Sequence, residues 1–262
     1  MNLDLARIRG LVLDLDGTLV DTFEDLREAV NRVRETRNLP PLDLPTVIAH
    51  VGQGARNLVQ QTTAPSSEAL LQENLQRFLA YYQERSLVRT RPYPGVPEAL
   101  GRCSALGLAL AVLTNKPEAA ARSILAGLDL APFFPVVQGG DSGSVMKPDP
   151  EVLRSLLARM GIAPSETLMV GDSDVDILTA NRAGVAAVRV QTGQWRWSRL
   201  APDLEVARLL DLASRLEAAR GPTGAHDQDM KACITPRTGE ARDPAAPAGD
   251  THLDLDADSG TS

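Results

Sequence analysis

The chain has 262 residues, of which 43% are apolar, and a formal net charge of −7. That length carries one large or two modest domains with a sizeable core, and an acidic balance argues against nucleic acid as a partner. No apolar run reaches the roughly 18 residues of a membrane span, MNLDLARIRG lacks the basic-then-apolar order of a secretory signal, and Cys103 and Cys233 form neither a disulfide framework nor a zinc spacing. A cytoplasmic protein, off the membrane and a monomer or dimer, is therefore expected.

Residues 9–15 read as the first strand, a continuous apolar run stopped by Gly17. The run ends in Asp14 and Asp16. Residues two apart on a strand share a face, so both carboxylates look into whatever lies beyond the strand end. Two such groups repel unless something cationic shares the site. From Phe23 to Val88 the pattern turns helical, with Leu26, Val30 and Val33 at helical spacing. Pro40, Pro41 and Pro45 break the first helix from a second over 47–61, itself interrupted near Gly52 and Gly54. Ser66-Ser67-Glu68 starts a third helix with Leu71, Leu75, Phe78, Leu79 and Tyr82 along one face. Residues 22–92 thus form a small helical insert without an evident strand.

Thr90 to Gly95 reads as a stiff return linker. Strands are then expected over 108–113, 134–137, 167–170 and 187–190, alternating with helices over 97–106, 117–126, 150–160 and 175–183. A closing helix falls within 198–220. This alternation means a parallel α/β sheet with helices on both faces, a Rossmann-like core built from 1–21 and 93–220. Residues 221–262 hold no aromatic side chain and few large aliphatics. They cannot bury enough surface to offset ordering and read as a disordered acidic tail.

Three further loops follow strands. Thr114-Asn115-Lys116-Pro117 places a hydroxyl before a helix whose first amides favour an anion. The glycine-rich stretch from Gly139 ends in Lys147-Pro148-Asp149-Pro150, where Asp149 reads as a helix cap. Only Lys116, Lys147 and Lys231 are lysines among 27 basic residues, so a loop lysine is informative here. Last, Asp172 ends a hydrophobic strand, and Asp176 falls on its side four residues on. In open α/β sheets ligands bind beyond the carboxyl ends of strands. All four loops lie there, and together they offer a carboxylate pair, a hydroxyl, a lysine and a second acidic cluster. Phosphoryl transfer, which depends on positioning and charge stabilisation, needs such a set with a divalent cation.

The stretches DLDGTLVDT, LTNKP, KPDP and GDSDVD, in this order, resemble the haloacid-dehalogenase-like hydrolase superfamily over about residues 9 to 215. That resemblance implies a helical cap in the insert and a Mg²⁺ cofactor. It makes Asp14 the nucleophile and Asp16 the general acid and base. Gly17, Thr114, Asn115 and Lys147 would serve the phosphoryl group, with Lys147 rather than Lys116 neutralising it. Asp14, the Asp16 backbone carbonyl and Asp172 would hold the metal, and Asp176 would be a further or indirect ligand. Dehalogenases lack an acidic residue at the position of Asp16, so a phosphatase or phosphomutase is implied. VGQGAR at 51–56 and VQGGD at 137–141 look like the bacterial phosphoglycolate phosphatases. This implies a small phosphate ester as substrate, with Arg56 as the cap cation for its carboxylate. The alternatives are a sugar-phosphate phosphatase, a pyrophosphatase, a β-phosphoglucomutase, or a non-enzymatic phospho-accepting signalling domain. Trp195 and Trp197 are read as packing residues.

Overall fold

The computed structural model of the chain describes residues 3–194, 196 and 198–221. Trp195, Trp197 and, beyond Gly221, the tail expected to be disordered lie outside them. The first strand, β1 (Gly10–Leu13), is buried along its whole length. A strand buried on both faces needs apolar residues at every position rather than at alternate ones, as its sequence has. It pairs in parallel with β4 (Ala109–Leu113) on one side and β6 (Thr167–Gly171) on the other. With β5 (Val136–Gln138), β7 (Ala186–Val190) and β8 (Leu204–Val206) the order is β5-β4-β1-β6-β7-β8, every pair parallel.

Side chains alternate across this sheet. Leu11 and Leu13 join the core under helices α5 (Val96–Ala105) and α9 (Leu209–Arg220). Val12 joins the opposite core, under α7 (Pro150–Met160) and α8 (Asp174–Ala183). Asp149 caps α7, its carboxylate accepting from the Glu151 amide at 2.9 Å, as the sequence suggests. Among the described residues no helix is long and apolar enough to cross a membrane.

The insert holds α1 (Phe23–Glu35), α2 (Leu44–Ile48), α3 (Gly54–Thr63) and α4 (Glu68–Arg85). The break near Gly52 and Gly54 separates α2 from α3. The apolar cluster beneath α5 and α9 runs on without interruption into the insert through Leu26, Val30, Leu58 and Phe78. Two elements differ from the expectation. The stiff linker includes a strand, β3 (Arg91–Pro92), antiparallel to β2 (Val20–Asp21), so the two connections to the insert are tied to each other. The sheet also gains β8 at its edge. Elements of two or three residues are too short to show alternation, which is why pattern reading passes over them.

Buried Asp25 of α1 fastens the returning chain. Its carboxylate accepts from the Arg89 amide at 3.0 Å, the Thr90 amide at 2.9 Å and the Thr90 hydroxyl at 2.8 Å. Removing it would leave a buried amide unpaired. Asp25→Ala should therefore lower unfolding stability by about 2–3 kcal/mol, read from urea denaturation. A loss under about 0.5 kcal/mol, the range of an ordinary surface change, would show that the clamp is not needed.

Candidate active site

The connections leave β1 toward β4 on one side and later toward β6 on the other, so the strand order reverses at β1. A crevice opens at such a point beyond the carboxyl ends of the strands. Asp14 directly follows β1, its amide bonded to the Val170 carbonyl at 2.9 Å. Asp172 directly follows β6. Its carboxylate accepts from the Thr18 hydroxyl at 2.9 Å and the Gln194 amide at 2.5 Å. Gly17 and Gly193 both have positive φ, and a Cβ on either would run into the Asp172 carboxylate. Glycine at these two positions is what lets the backbone close around it.

Helix α8 begins immediately afterwards. One Asp176 oxygen caps it, accepting from the Ser173 hydroxyl at 2.7 Å and its amide at 3.2 Å. The other faces Lys147 Nζ at 2.7 Å, and the same ammonium lies 2.8 Å from Asp14 Oδ1. Lys147 is buried and its backbone is gripped by Asn115. The Asn115 side-chain oxygen accepts from the Lys147 amide at 2.9 Å, and its side-chain NH₂ donates to the Lys147 carbonyl at 2.8 Å.

Asp14, Asp172 and Asp176 bring one carboxylate oxygen each within 4.8 Å of one another, all buried. Lys147 is the ammonium among them, so the cluster keeps two uncompensated negative charges. Burial raises the Asp14 carboxyl to about 6; Lys147 pulls it down, and Asp176 and Asp16 add to the rise. Burial likewise pushes Asp172 well above the usual carboxylate range, helped by Asp176 and Asp14. For Lys147 burial acts against the charge, but Asp14 and Asp176 outweigh it and raise the ammonium. Among the described residues Asp14 Oδ1 has no hydrogen bond of proper geometry, only the ion-pair contact with Lys147. A hard divalent cation suits these residues: it takes carboxylate oxygens and balances two charges.

Asp16 turns away from that cluster. Its carboxylate accepts from Lys116 Nζ at 2.9 Å and from the Thr22 hydroxyl at 2.6 Å. Lys116 is buried too, and its ammonium stands 4.7 Å from the centre of the Tyr82 ring. Burial opposes its charge most, but Asp16 and Tyr82 together outweigh it and raise the ammonium. Asp14, Asp16, Thr114 and Lys116 open onto one cavity of about 50 Å³, walled on the insert side by residues such as Val51, Leu58 and Phe78. The Thr114 hydroxyl accepts from the Lys116 amide at 3.2 Å, which leaves its own hydrogen to donate.

Three candidates stand differently from the sequence reading. Arg56 is not at the cavity: it forms a two-pronged ion pair with Glu68, at 3.0 and 2.8 Å, with side chains 49% and 64% exposed. Both Asn115 side-chain hydrogens are in use, the second on the Gly52 carbonyl at 2.8 Å, so the side chain positions loops and has none left to donate to an anion. The Gly17 amide donates to the Val20 carbonyl at 2.9 Å, so it too is occupied. Sequence reasoning missed Thr22, Tyr82 and Gln194. The Gln194 side chain reaches the Val51 carbonyl at 3.0 Å and also that of Ile48, joining the insert to the loop that holds Asp172. The scarcity of lysine was a signal for Lys116; Gln194 carried none.

The family model of the haloacid dehalogenase-like hydrolases matches residues 11–190. A relative from Rhodospirillum rubrum named phosphoglycolate phosphatase is 40% identical over 196 residues, 72% of this chain and 81% of its own. One of the same name from Chromobacterium violaceum is 37% identical over 215 residues, 80% of this chain and 97% of its own. The crystal structure of a predicted phosphoglycolate phosphatase from Haemophilus somnus matches with a TM-score of 0.76 at 30% identity, covering 80% of this chain and 99% of that one.

The raised Asp14 carboxyl sets a pH window. Below about pH 4 it is protonated whether the chain is folded or not. Between about 4 and 6 the unfolded chain gives up this proton first, so the site lowers stability as pH rises through that range. A cation in place of the proton removes the penalty. Added Mg²⁺ should raise the Tm clearly at about pH 7.5 and lose its effect below about pH 5. Equal shifts at both pH values would show that the ion binds elsewhere. Arg56→Ala, which removes an exposed pair, should leave the thermal melting curve essentially unchanged.

Proposed function

The chain belongs to the haloacid dehalogenase-like hydrolases, and from that premise we propose that it is a Mg²⁺-dependent phosphatase acting through an aspartyl-phosphate on Asp14. Its substrate is a small phosphate monoester, 2-phosphoglycolate first. The observation that carries this reading is the pair of aspartates beyond β1, each with its own lysine: Asp14 with Lys147 and Asp16 with Lys116. One carboxylate is placed for attack and the other for proton transfer.

Asp14, Asp172 and Asp176 would hold Mg²⁺, with the Asp16 backbone carbonyl as a further oxygen. The bound ion would supply positive charge to the phosphoryl oxygens. An oxygen of Asp14 attacks phosphorus as the ester P–O bond breaks. Asp16 hands a proton to the departing oxygen, which leaves as an alcohol. Asp16 then takes a proton from water as the water attacks the acyl phosphate. This step releases inorganic phosphate and restores the Asp14 carboxylate. Lys147 and the Thr114 hydroxyl hold the phosphoryl oxygens through both steps. A leaving alkoxide needs a proton and a halide does not, so Asp16 favours ester hydrolysis.

Two observations support a compact substrate. The cavity of about 50 Å³ is far below the several hundred Å³ of an ordinary ligand pocket. The names of the Rhodospirillum rubrum and Chromobacterium violaceum relatives agree with a two-carbon acid ester. The helical insert would act as a cap, opening about the paired β2 and β3 to admit substrate and closing to exclude water.

Asp14→Asn should cut kcat by about a thousandfold or more, the scale of losing a nucleophile, with an unchanged melting curve. Acid-quenched wild-type enzyme should carry phosphate on the Asp14 peptide by mass spectrometry. Phosphate on another residue, or near-normal turnover of Asp14→Asn with deamidation excluded, would remove Asp14 from this role.

A further inference from the structure

The Arg56–Glu68 pair leaves the carboxylate end of such a substrate without its expected cation. We infer that Lys116, with the Tyr82 hydroxyl, binds that carboxylate; the inference rests on the proposed action on 2-phosphoglycolate. Among the described residues Lys116 is the only cation lining the cavity that Asp14 and Asp16 share. The wall facing it is largely apolar, and an unpaired carboxylate there would be costly to bury.

Position points the same way. In 2-phosphoglycolate a single methylene separates the ester oxygen from the carboxylate. Asp16, which serves the ester oxygen, has Lys116 Nζ 2.9 Å from both of its own oxygens. A carboxylate one carbon beyond the ester oxygen therefore falls within reach of the same ammonium. The loop after β4 then contacts both ends of the molecule, through Thr114 at the phosphoryl group and Lys116 at the carboxylate.

Tyr82 supplies an independent sign of a ligand. It lines the cavity from helix α4, and its hydroxyl is buried with no hydrogen-bond partner among the described residues. The Lys116 ammonium lies 4.7 Å from the ring centre and interacts with the phenol, but it makes no hydrogen bond of proper geometry to the hydroxyl. Buried hydroxyls are ordinarily paired. Burial pushes this one up to about 12, so it stays protonated and can donate. A carboxylate oxygen held between it and Lys116 satisfies the hydroxyl and balances the added charge.

The test compares kcat/KM for 2-phosphoglycolate with that for 2-phosphoglycolamide, a neutral analogue of the same shape. Wild-type enzyme should prefer the acid. Lys116→Gln should reduce that preference at least about tenfold, and Lys116→Arg should restore part of it. Tyr82→Phe, which keeps the ring, should reduce it about threefold or more. It also carries the test if Lys116→Gln does not fold. The ratio matters because a general effect of Lys116 on Asp16 slows both esters alike. Wild-type preference for the acid that persists in every folded variant overturns the role of Lys116 and Tyr82 and leaves the proposed function standing. Wild-type enzyme with no preference for the acid overturns both.

Discussion

Three carboxylates and one ammonium share the buried end of β1, and the surplus of negative charge there governs what surrounds it. Buried charges are tolerated only when paired or hydrogen-bonded. Three of the four members accordingly have a dedicated support. Thr18 and the Gln194 amide hold Asp172, the first turn of α8 holds Asp176, and Asn115 holds the backbone of Lys147. These supports come from segments far apart in sequence, which a parallel sheet can assemble only where its strand order reverses. Gly17 and Gly193 follow from the same requirement, because side chains there would occupy the space of the Asp172 carboxylate.

The insert is bound to this arrangement by two amide side chains. Asn115 joins three segments: its own loop, the Lys147 loop and Gly52 of the insert. Gln194 joins Asp172's neighbourhood to the carbonyls between α2 and α3. Both reach carbonyls at or just after the end of α2, and that of Ile48 already accepts from the Val51 amide. Movement of the insert in the proposed capping role would break these contacts. Apolar packing continues across the same boundary through Leu26, Leu58 and Phe78. The contact between insert and core thus combines a directional component from the two amides with a non-directional one from the apolar wall.

Much of the core was legible because buried parallel strands have a simple signature, unbroken apolar runs ending in polar loops. The two aspartates after the first run, Lys147 before a proline-started helix, and Asp172 with Asp176 could all be located from that signature and the family resemblance. What could not be read has a common cause: it depends on pairing between distant segments. Arg56 lies in a stretch with the expected motif, yet Glu68, twelve residues away, satisfies it across the turn between α3 and α4. Asn115 stands in the right loop, but only its partners show that both its hydrogens are occupied. Tyr82 sits on the apolar face of α4, where a helical pattern marks it as core. It is core, and its one polar atom also points to a second role. The β2–β3 pair, two residues on each side, carries no periodic signal at all.

The two lysines divide the crevice into halves of different charge. Lys116 and Asp16 neutralise each other, so that half can accept one further anion only by sharing the ammonium. Lys147 leaves two negative charges unbalanced, so the other half repels a phosphate group until a divalent cation is present. In the proposed reaction the asymmetry would give a bound ester one favoured direction, with phosphorus toward Asp14 and the organic portion toward Lys116 and the insert. In that direction the ester oxygen meets Asp16, the carboxylate that is not committed to the metal cluster. Reversing the substrate would place its phosphoryl group against apolar walls and take it from Asp14, the proposed nucleophile. The charge balance that makes a cation necessary on one side of β1 therefore also fixes which bond lies between Asp14 and Asp16.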